Sequence, residues 1–405
     1  MIKVEDTFCR EYSTITEKEQ EKLLEIKENI MKQEKMLDWI KKDTTIDEYE
    51  LSRLIEVGTT IRQSCDIFLV IGIGGSFLGS KALIESLRPY FSNSKPDIIF
   101  LGYHLSTEYL NEVIQYIKDK NVYVNVISKS GNTLETTIAF QTIYHYLKEH
   151  DKDYQKKIII TTDSDNGSLR KLAQEENLTS FSIPKNIGGR FSVLTAAGLL
   201  PLVVAGIDIA ELLRGAYESE DCFLEASKFA LIRYHLENDS KTVEAVTYYE
   251  EKLTSFALWY QQLFAETQGK NKKGILPIPN LYTTNLHSLG QYFQEGRSQV
   301  FETVLKVQEE PTTDLYYQNK SLTEINSIIL KQVAIAHKEG NTPSIVLSIP
   351  ELTPYYLGNL IYFLEIAATI GAYLMDVYPF DQPGVENYKN KVKQALEERE
   401  QTGFA

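Results

Sequence analysis

The sequence predicts an α/β protein whose parallel sheets are covered by helices on both faces. Three observations carry that reading. Short apolar, β-branched runs alternate with helical patterns from Ile67 to Ile183, the rhythm of parallel strands joined by crossover helices. A second, looser alternation runs from Asp221 onward, so two similar α/β halves are expected, although no identity between them is visible. A chain of 405 residues is also long for one core and fits two domains of ordinary size.

Taken in order, residues 1–60 read as helices rich in Glu and Lys. Thr16-Glu17-Lys18-Glu19 forms a capping box at the start of the first long one. The first strand is Ile67–Ile71, followed by the glycine turn Gly72–Ser76 and a helix over Phe77–Leu87. Pro96 precedes a strand at Ile98–Leu101, and a helix over Thr107–Lys118 leads to the strand Val122–Ile127. The helix opening at Thr133 reaches Leu147. A strand at Ile158–Thr161, a helix over Ser168–Glu176 and a short strand at Phe181–Ile183 complete this half. In the second half a helix spans Asp221–Leu236, a strand Val243–Tyr248 and a helix Thr254–Ala265. Gln268–Pro279, with its Gly, Lys and Pro, reads as a loop. Strands at Val300–Val307 and Ile345–Ile349 bracket a helix near Ile325–His337. A long helix over Tyr356–Met375 and a charged helix from Val385 close the chain. The expected divisions are 1–60, 61–210, 211–380 and 381–405.

Composition narrows the function. A formal charge of −14 disfavours nucleic acid and anionic membranes as partners. It leaves a phosphorylated substrate open, because a local nest of N–H groups binds anions against the global field. Cys9, Cys65 and Cys222 fit neither a disulfide framework nor a zinc spacing, which suits a reducing, cytoplasmic compartment. The N-terminus is too charged for a signal peptide. Phe191–Ala210 and Tyr356–Phe380 are long and apolar, but each carries charge or proline and reads as a buried core helix.

The chemistry begins at Ser128-Lys129-Ser130-Gly131, between the strand Val122–Ile127 and a helix start at Thr133. Hydroxyls, one ammonium and a glycine turn at a helix N-terminus suit a phosphate; a plain capped βα turn has the same composition. Gly72–Gly79 misses three motifs. Phe77 stands where a dinucleotide fingerprint needs Gly, Ser80-Lys81 inverts a Walker A ending, and Leu78 replaces the second Gly of a nucleophile elbow. What remains is a turn that lets backbone approach a ligand, with Ser76 as a hydroxyl contact. Gly188-Gly189-Arg190 sets a guanidinium before an apolar helix, either as a salt-bridged loop residue or as an oxyanion clamp. Gln262 and Glu266 share a helix face, and a carboxylate at a helix C-terminus opposes the dipole. The six histidines offer no metal set by spacing.

Together, Val70–Lys81, Ser128–Glu135, Asn186–Gly198, Glu266–Lys270, His287–Arg297 and Phe380–Lys389 resemble the glucose-6-phosphate isomerase family, in its short bacterial form. Two stretches are highly specific: Asn-Ile-Gly-Gly-Arg-Phe-Ser-Val-Leu-Thr-Ala-Ala-Gly and Phe-Asp-Gln-Pro-Gly-Val-Glu-Asn-Tyr-Lys. The resemblance spans about residues 65–390. It implies two sugar-isomerase (SIS) doubly wound sandwiches flanked by N- and C-terminal helices. It assigns Ser128, Lys129, Ser130 and Thr133 to the phosphate, Gly75 and Ser76 to the sugar, and Gln262 and Gln382 to substrate contacts. Glu266 would be the base, Arg190 the stabiliser of an enediol intermediate, and His287 with Lys389 the ring-opening pair. No metal or organic cofactor is implied, and relatives are homodimers whose ring-opening histidine enters the neighbouring subunit's site. Asn132 stands where relatives usually have Thr, and the segment between Thr303 and Ser327 is shorter than in bacterial relatives.

Rival readings fare worse. A phosphosugar sensor would keep Ser128–Thr133 but has no use for Glu266, His287 and Lys389 together. A related isomerase for another phosphosugar is opposed by the two specific stretches, and a nicotinamide dehydrogenase by Phe77.

Overall fold

The computed structural model describes residues 1–32, 35–91, 95–218, 222–308 and 315–402. The chain opens on a strand, β1 (Lys3–Phe8), then helices α1 (Glu17–Met31) and α2 (Glu48–Ser64). The capping box at α1 is formed: Thr16 Oγ1 accepts the Glu19 N–H, and Glu19 Oε2 accepts the Thr16 N–H at 2.8 Å. The first sheet then alternates with helices: β2 (Ile67–Ile71), α3 (Leu78–Leu87), β3 (Asp97–Leu101), α4 (Thr107–Tyr116), β4 (Val122–Ile127), α5 (Leu134–His150), β5 (Ile158–Asp163), α6 (Ser168–Glu175) and β6 (Thr179–Ile183). All five strands are parallel, in the order β3-β2-β4-β5-β6. Its strand order reverses between β2 and β4, so the turns after those strands open into one crevice, where α/β sheets place ligands.

Helices α7 (Ala196–Ala205), α8 (Ile209–Tyr217) and α9 (Cys222–Asn238) lead to the second half; Asp221, the expected start of α9, lies outside the described residues. There follow β7 (Val243–Tyr248), α10 (Thr254–Gln268), β8 (Leu276–Leu281), α11 (Gly290–Glu295), β9 (Val300–Val307), a two-residue hairpin at Tyr316–Ser321, α12 (Leu322–Glu339), β10 (Ser344–Ile349), α13 (Pro354–Leu374) and α14 (Pro383–Thr402). The second sheet runs β1-β10-β9-β7-β8. Four of its strands are parallel, and β7, β8, β9 and β10 repeat the spatial order of β2, β3, β4 and β5. The doubled α/β architecture is therefore present.

Two strands of the second sheet depart from the sequence reading. β1 is a strand where only helices were expected, and it pairs antiparallel with β10 at the far edge of the second sheet. β8 begins inside the expected Gln268–Pro279 loop. Pro277 and Pro279 cannot donate to a ladder, yet β8 is an edge strand hydrogen-bonded on one side only, where proline is tolerated.

Both apolar stretches are core. Every residue of α7 is buried, Pro201 included. α13 is long and apolar enough to cross a membrane, but it lies buried against α8 and α9. Burying its Leu, Ile and Phe side chains stabilises the fold by roughly 1.5–3 kcal/mol each.

Candidate active site

Helix α10 joins the halves by packing on α3, and Lys81 on α3 donates to Ser255 Oγ at 2.9 Å. That packing brings Gln262 onto the glycine turn after β2. Gly74 has φ +58°, and a Cβ there would stand 2.8 Å from Gln262 Nε2. A Cβ on Gly75 would lie 2.1 Å from the Gly189 carbonyl oxygen, a distance that only glycine permits. Gly75 thus approaches the Gly188-Gly189-Arg190 turn closely and seats it in the crevice. Ser76 lies half-buried in the same turn.

On this seat Arg190 is 1% exposed. Its Nε donates to Thr267 Oγ1 at 2.7 Å, its Nη2 to the Pro379 carbonyl, and its Nη1 to Glu266 Oε2 at 3.3 Å. Burial lowers the guanidinium pKa and the Glu266 charge opposes that; a guanidinium stays charged throughout. Glu266 also accepts Gln262 Nε2 at 3.1 Å on Oε1 and Gln382 Nε2 at 2.8 Å on Oε2. Its side chain is 30% exposed. A carboxylate in the last turn of α10 opposes the helix dipole, and Arg190 offsets that charge. Gln262 Oε1 is buried without a hydrogen-bond partner among the described residues.

The end of α10 is fixed from behind. Gln268 accepts Arg233 Nη1 at 2.8 Å and donates to the Ala368 carbonyl. Arg233 pairs with Glu244 at 2.7 Å, both fully buried, and Tyr260 and Thr303 complete the carboxylate's bonds. Removing one member of such a pair costs about 3–5 kcal/mol, so Glu266 rides on a rigid helix end.

The Ser128–Thr133 segment gathers its hydroxyls at a helix start. Thr133 Oγ1 lies 3.5 Å from both Ser128 Oγ and Ser130 Oγ. Gly131 takes φ +73° and its N–H donates to Ser128 Oγ at 3.1 Å. Three hydroxyls thus converge at the start of α5, with a cavity of about 430 Å³ beside Lys129 and Ser130. Asn132 Oδ1 is turned to Ser168 Oγ at 3.0 Å.

Lys129, expected at the phosphate, also has main-chain partners. Its ammonium donates to the Lys185 carbonyl at 2.7 Å and the Ile187 carbonyl at 2.9 Å, so it binds the segment leading to Arg190. Lys129→Ala is therefore expected to lower kcat as well as raise KM. Losing one charge-assisted hydrogen bond of ~1.5 kcal/mol lowers kcat about tenfold; steady-state kinetics that moved KM alone would return the ammonium to the phosphate.

His287 and Lys389 stay outside the cluster in this chain. His287 ends the exposed turn Thr284–His287 and makes no hydrogen bond among the described residues. Lys389 is exposed on α14, 3.7 Å from Glu386. The sequence reading also passed over Thr267, the Pro379 carbonyl and Lys270 as working parts. Thr267 carried a signal, as a hydroxyl next to the carboxylate on an apolar helix, and Lys270 closes the Glu266–Lys270 stretch of the resemblance.

A family model described as Phosphoglucose isomerase matches residues 30–296 and 308–403. The chain is 40% identical over 385 residues to "Glucose-6-phosphate isomerase" of Caldanaerobacter subterraneus subsp. tengcongensis, covering 88% of this chain and 85% of that one. It is 41% identical over 379 residues to the protein of that name from Staphylococcus aureus, covering 88% and 86%. Among solved structures it is similar to a hypothetical protein, TT0462, from Thermus thermophilus, at TM-score 0.87 and 28% identity over 98% of this chain and 100% of that one. A glucose-6-phosphate isomerase from Chlamydia trachomatis shares the fold at TM-score 0.77 and 22% identity, over 88% and 74%. With the doubled fold and this extent of identity, the chain belongs to the phosphoglucose isomerase family.

Proposed function

We propose that Glu266 carries the proton in the aldose–ketose isomerisation that family membership gives this chain. That reaction interconverts glucose 6-phosphate and fructose 6-phosphate, a step of glycolysis and gluconeogenesis. One carboxylate takes the C2 proton, an enediol forms, and the same carboxylate returns the proton to C1. The observation that carries the reading is the Glu266 cluster. One carboxylate is aimed by two amides, with a buried guanidinium 3.3 Å away to receive oxyanion charge. Ser128, Ser130 and Thr133 hold the phosphate at the start of α5, where unsatisfied N–H groups favour an anion. Gly75 keeps the Arg190 turn in place beside Ser76, and Gln262 and Gln382 orient the carboxylate and meet sugar hydroxyls.

The ring arrives closed, so its opening needs a second acid–base pair. His287 fills that role with Lys389 as its charged helper. Because neither touches Glu266 within one chain, we propose a homodimer in which His287 serves the neighbouring subunit's site. We also propose a cytoplasmic enzyme that binds neither nucleic acid nor membrane. The net charge of −14 and the three buried cysteines support this; burial pushes the Cys9 and Cys65 thiols up to about 12.

A coupled assay of fructose 6-phosphate conversion to glucose 6-phosphate, run with chelator, tests the proposal. In that assay Arg190→Lys is expected to lose roughly 10²–10³-fold, mostly in kcat, as when an oxyanion donor is removed. One ammonium cannot reach Thr267, Pro379 and Glu266 together. A near-wild-type kcat would make Arg190 a structural residue.

A further inference from the structure

Two parts of the Glu266 cluster hang on the loop between α13 and α14. Pro379 supplies the carbonyl that receives Arg190 Nη2, and Gln382 supplies the amide 2.8 Å from Glu266 Oε2. A connecting loop is normally the most mobile part of a fold, whereas a shift of about 1 Å at a reacting group costs on the order of 10²-fold in rate. Something must hold this loop.

The turn after α10 does so. Lys270 donates to the Tyr378 carbonyl and pairs with Asp381 Oδ1 at 2.9 Å. Lys273 donates to the Met375 carbonyl at 2.7 Å, on the same loop's approach. The Lys270 side chain is 9% exposed while Asp381 is 51% exposed, so the ammonium sits on the inner side of the pair. Burial holds its pKa below the ordinary lysine value, opposed by Asp381 and reinforced by Arg190. A lysine kept beside another cation is costly, and the proton-transfer steps make no use of its charge.

We propose that Lys270 is a positioning residue for the isomerisation, strapping the 378–381 loop to the end of the helix that carries Glu266. Lys270 lies just past the end of α10, close behind Glu266, and Gln382 follows Asp381 directly. The base, its amide partner and the carbonyl that anchors Arg190 therefore form one short closed circuit, and they move together. This rests on the reading of Glu266 as base and Arg190 as stabiliser.

Lys270→Met keeps the aliphatic stem and removes the ammonium. With folding checked by circular dichroism, kcat is expected to fall about 10- to 10²-fold. KM for fructose 6-phosphate stays nearly unchanged, because Lys270 bonds none of the phosphate-loop side chains. Exchange of the C2 hydrogen with D₂O falls in step with kcat. Adding Gln382→Leu costs less than the product of the two single losses, since both act on one contact. A wild-type kcat in Lys270→Met, or fully multiplicative losses in the double variant, overturns the strap. If Lys270→Met does not fold, Asp381→Asn weakens the same strap from its exposed side and is expected to lower kcat several-fold; an unchanged kcat there overturns it equally. Continued exchange in Glu266→Gln would instead overturn the choice of base, which separates the two failures.

Discussion

Glu266→Gln is expected to lower kcat by at least about 10²- to 10⁴-fold, the usual worth of a positioned general base. The substitution is close to isosteric, and Arg190 keeps its bonds to Thr267 and the Pro379 carbonyl. The phosphate loop shares no hydrogen bond with Glu266, so substrate binding should survive and the loss should fall on kcat. Exchange of the C2 hydrogen with D₂O should stop as well. Exchange continuing at the normal rate would show that another residue takes the proton.

Mixing two inactive proteins is expected to return activity. If each site draws Glu266 from one chain and His287 from the other, a dimer of one Glu266→Gln chain and one His287→Ala chain has one site with both lesions and one with neither. Random reassociation makes half the dimers mixed, so about a quarter of wild-type activity should return, as two-fold symmetry requires. The exposed position of His287 on the turn Thr284–His287 motivates the experiment. Were both residues supplied by one chain, every site would carry a lesion. Silence after verified subunit exchange would sink the shared site while leaving the isomerase assignment standing.

Much of the fold could be read because parallel strands buried on both faces, such as Ile67–Ile71, are continuous apolar runs that periodicity detects. β1 escaped because Lys3, Glu5 and Asp6 interrupt its apolar residues, and of its own residues this edge strand buries only Val4. β8 escaped because proline argues against a strand except at an edge, and a sequence does not say which strand is the edge. At the site, residue types pointed to the Ser128–Thr133 hydroxyls, and the family resemblance to Glu266 and Arg190. The partners of Lys129 and Lys270 are main-chain carbonyls at Lys185, Ile187 and Tyr378. Every residue carries such a group, so no letter in the sequence marks the ones that are used.

The pairing of β1 with β10 also orders events while the chain is being made. Lys3 leaves the ribosome long before its partner, Ser348. At about 5–20 residues per second the two are separated by on the order of 20–70 s of synthesis. Through that interval the first strand has no ladder to join, long after the strands of the first sheet have emerged. Lys3, Glu5 and Asp6 keep it soluble and discourage it from pairing with another nascent chain. The same charges that hide this strand from periodicity protect it while it waits.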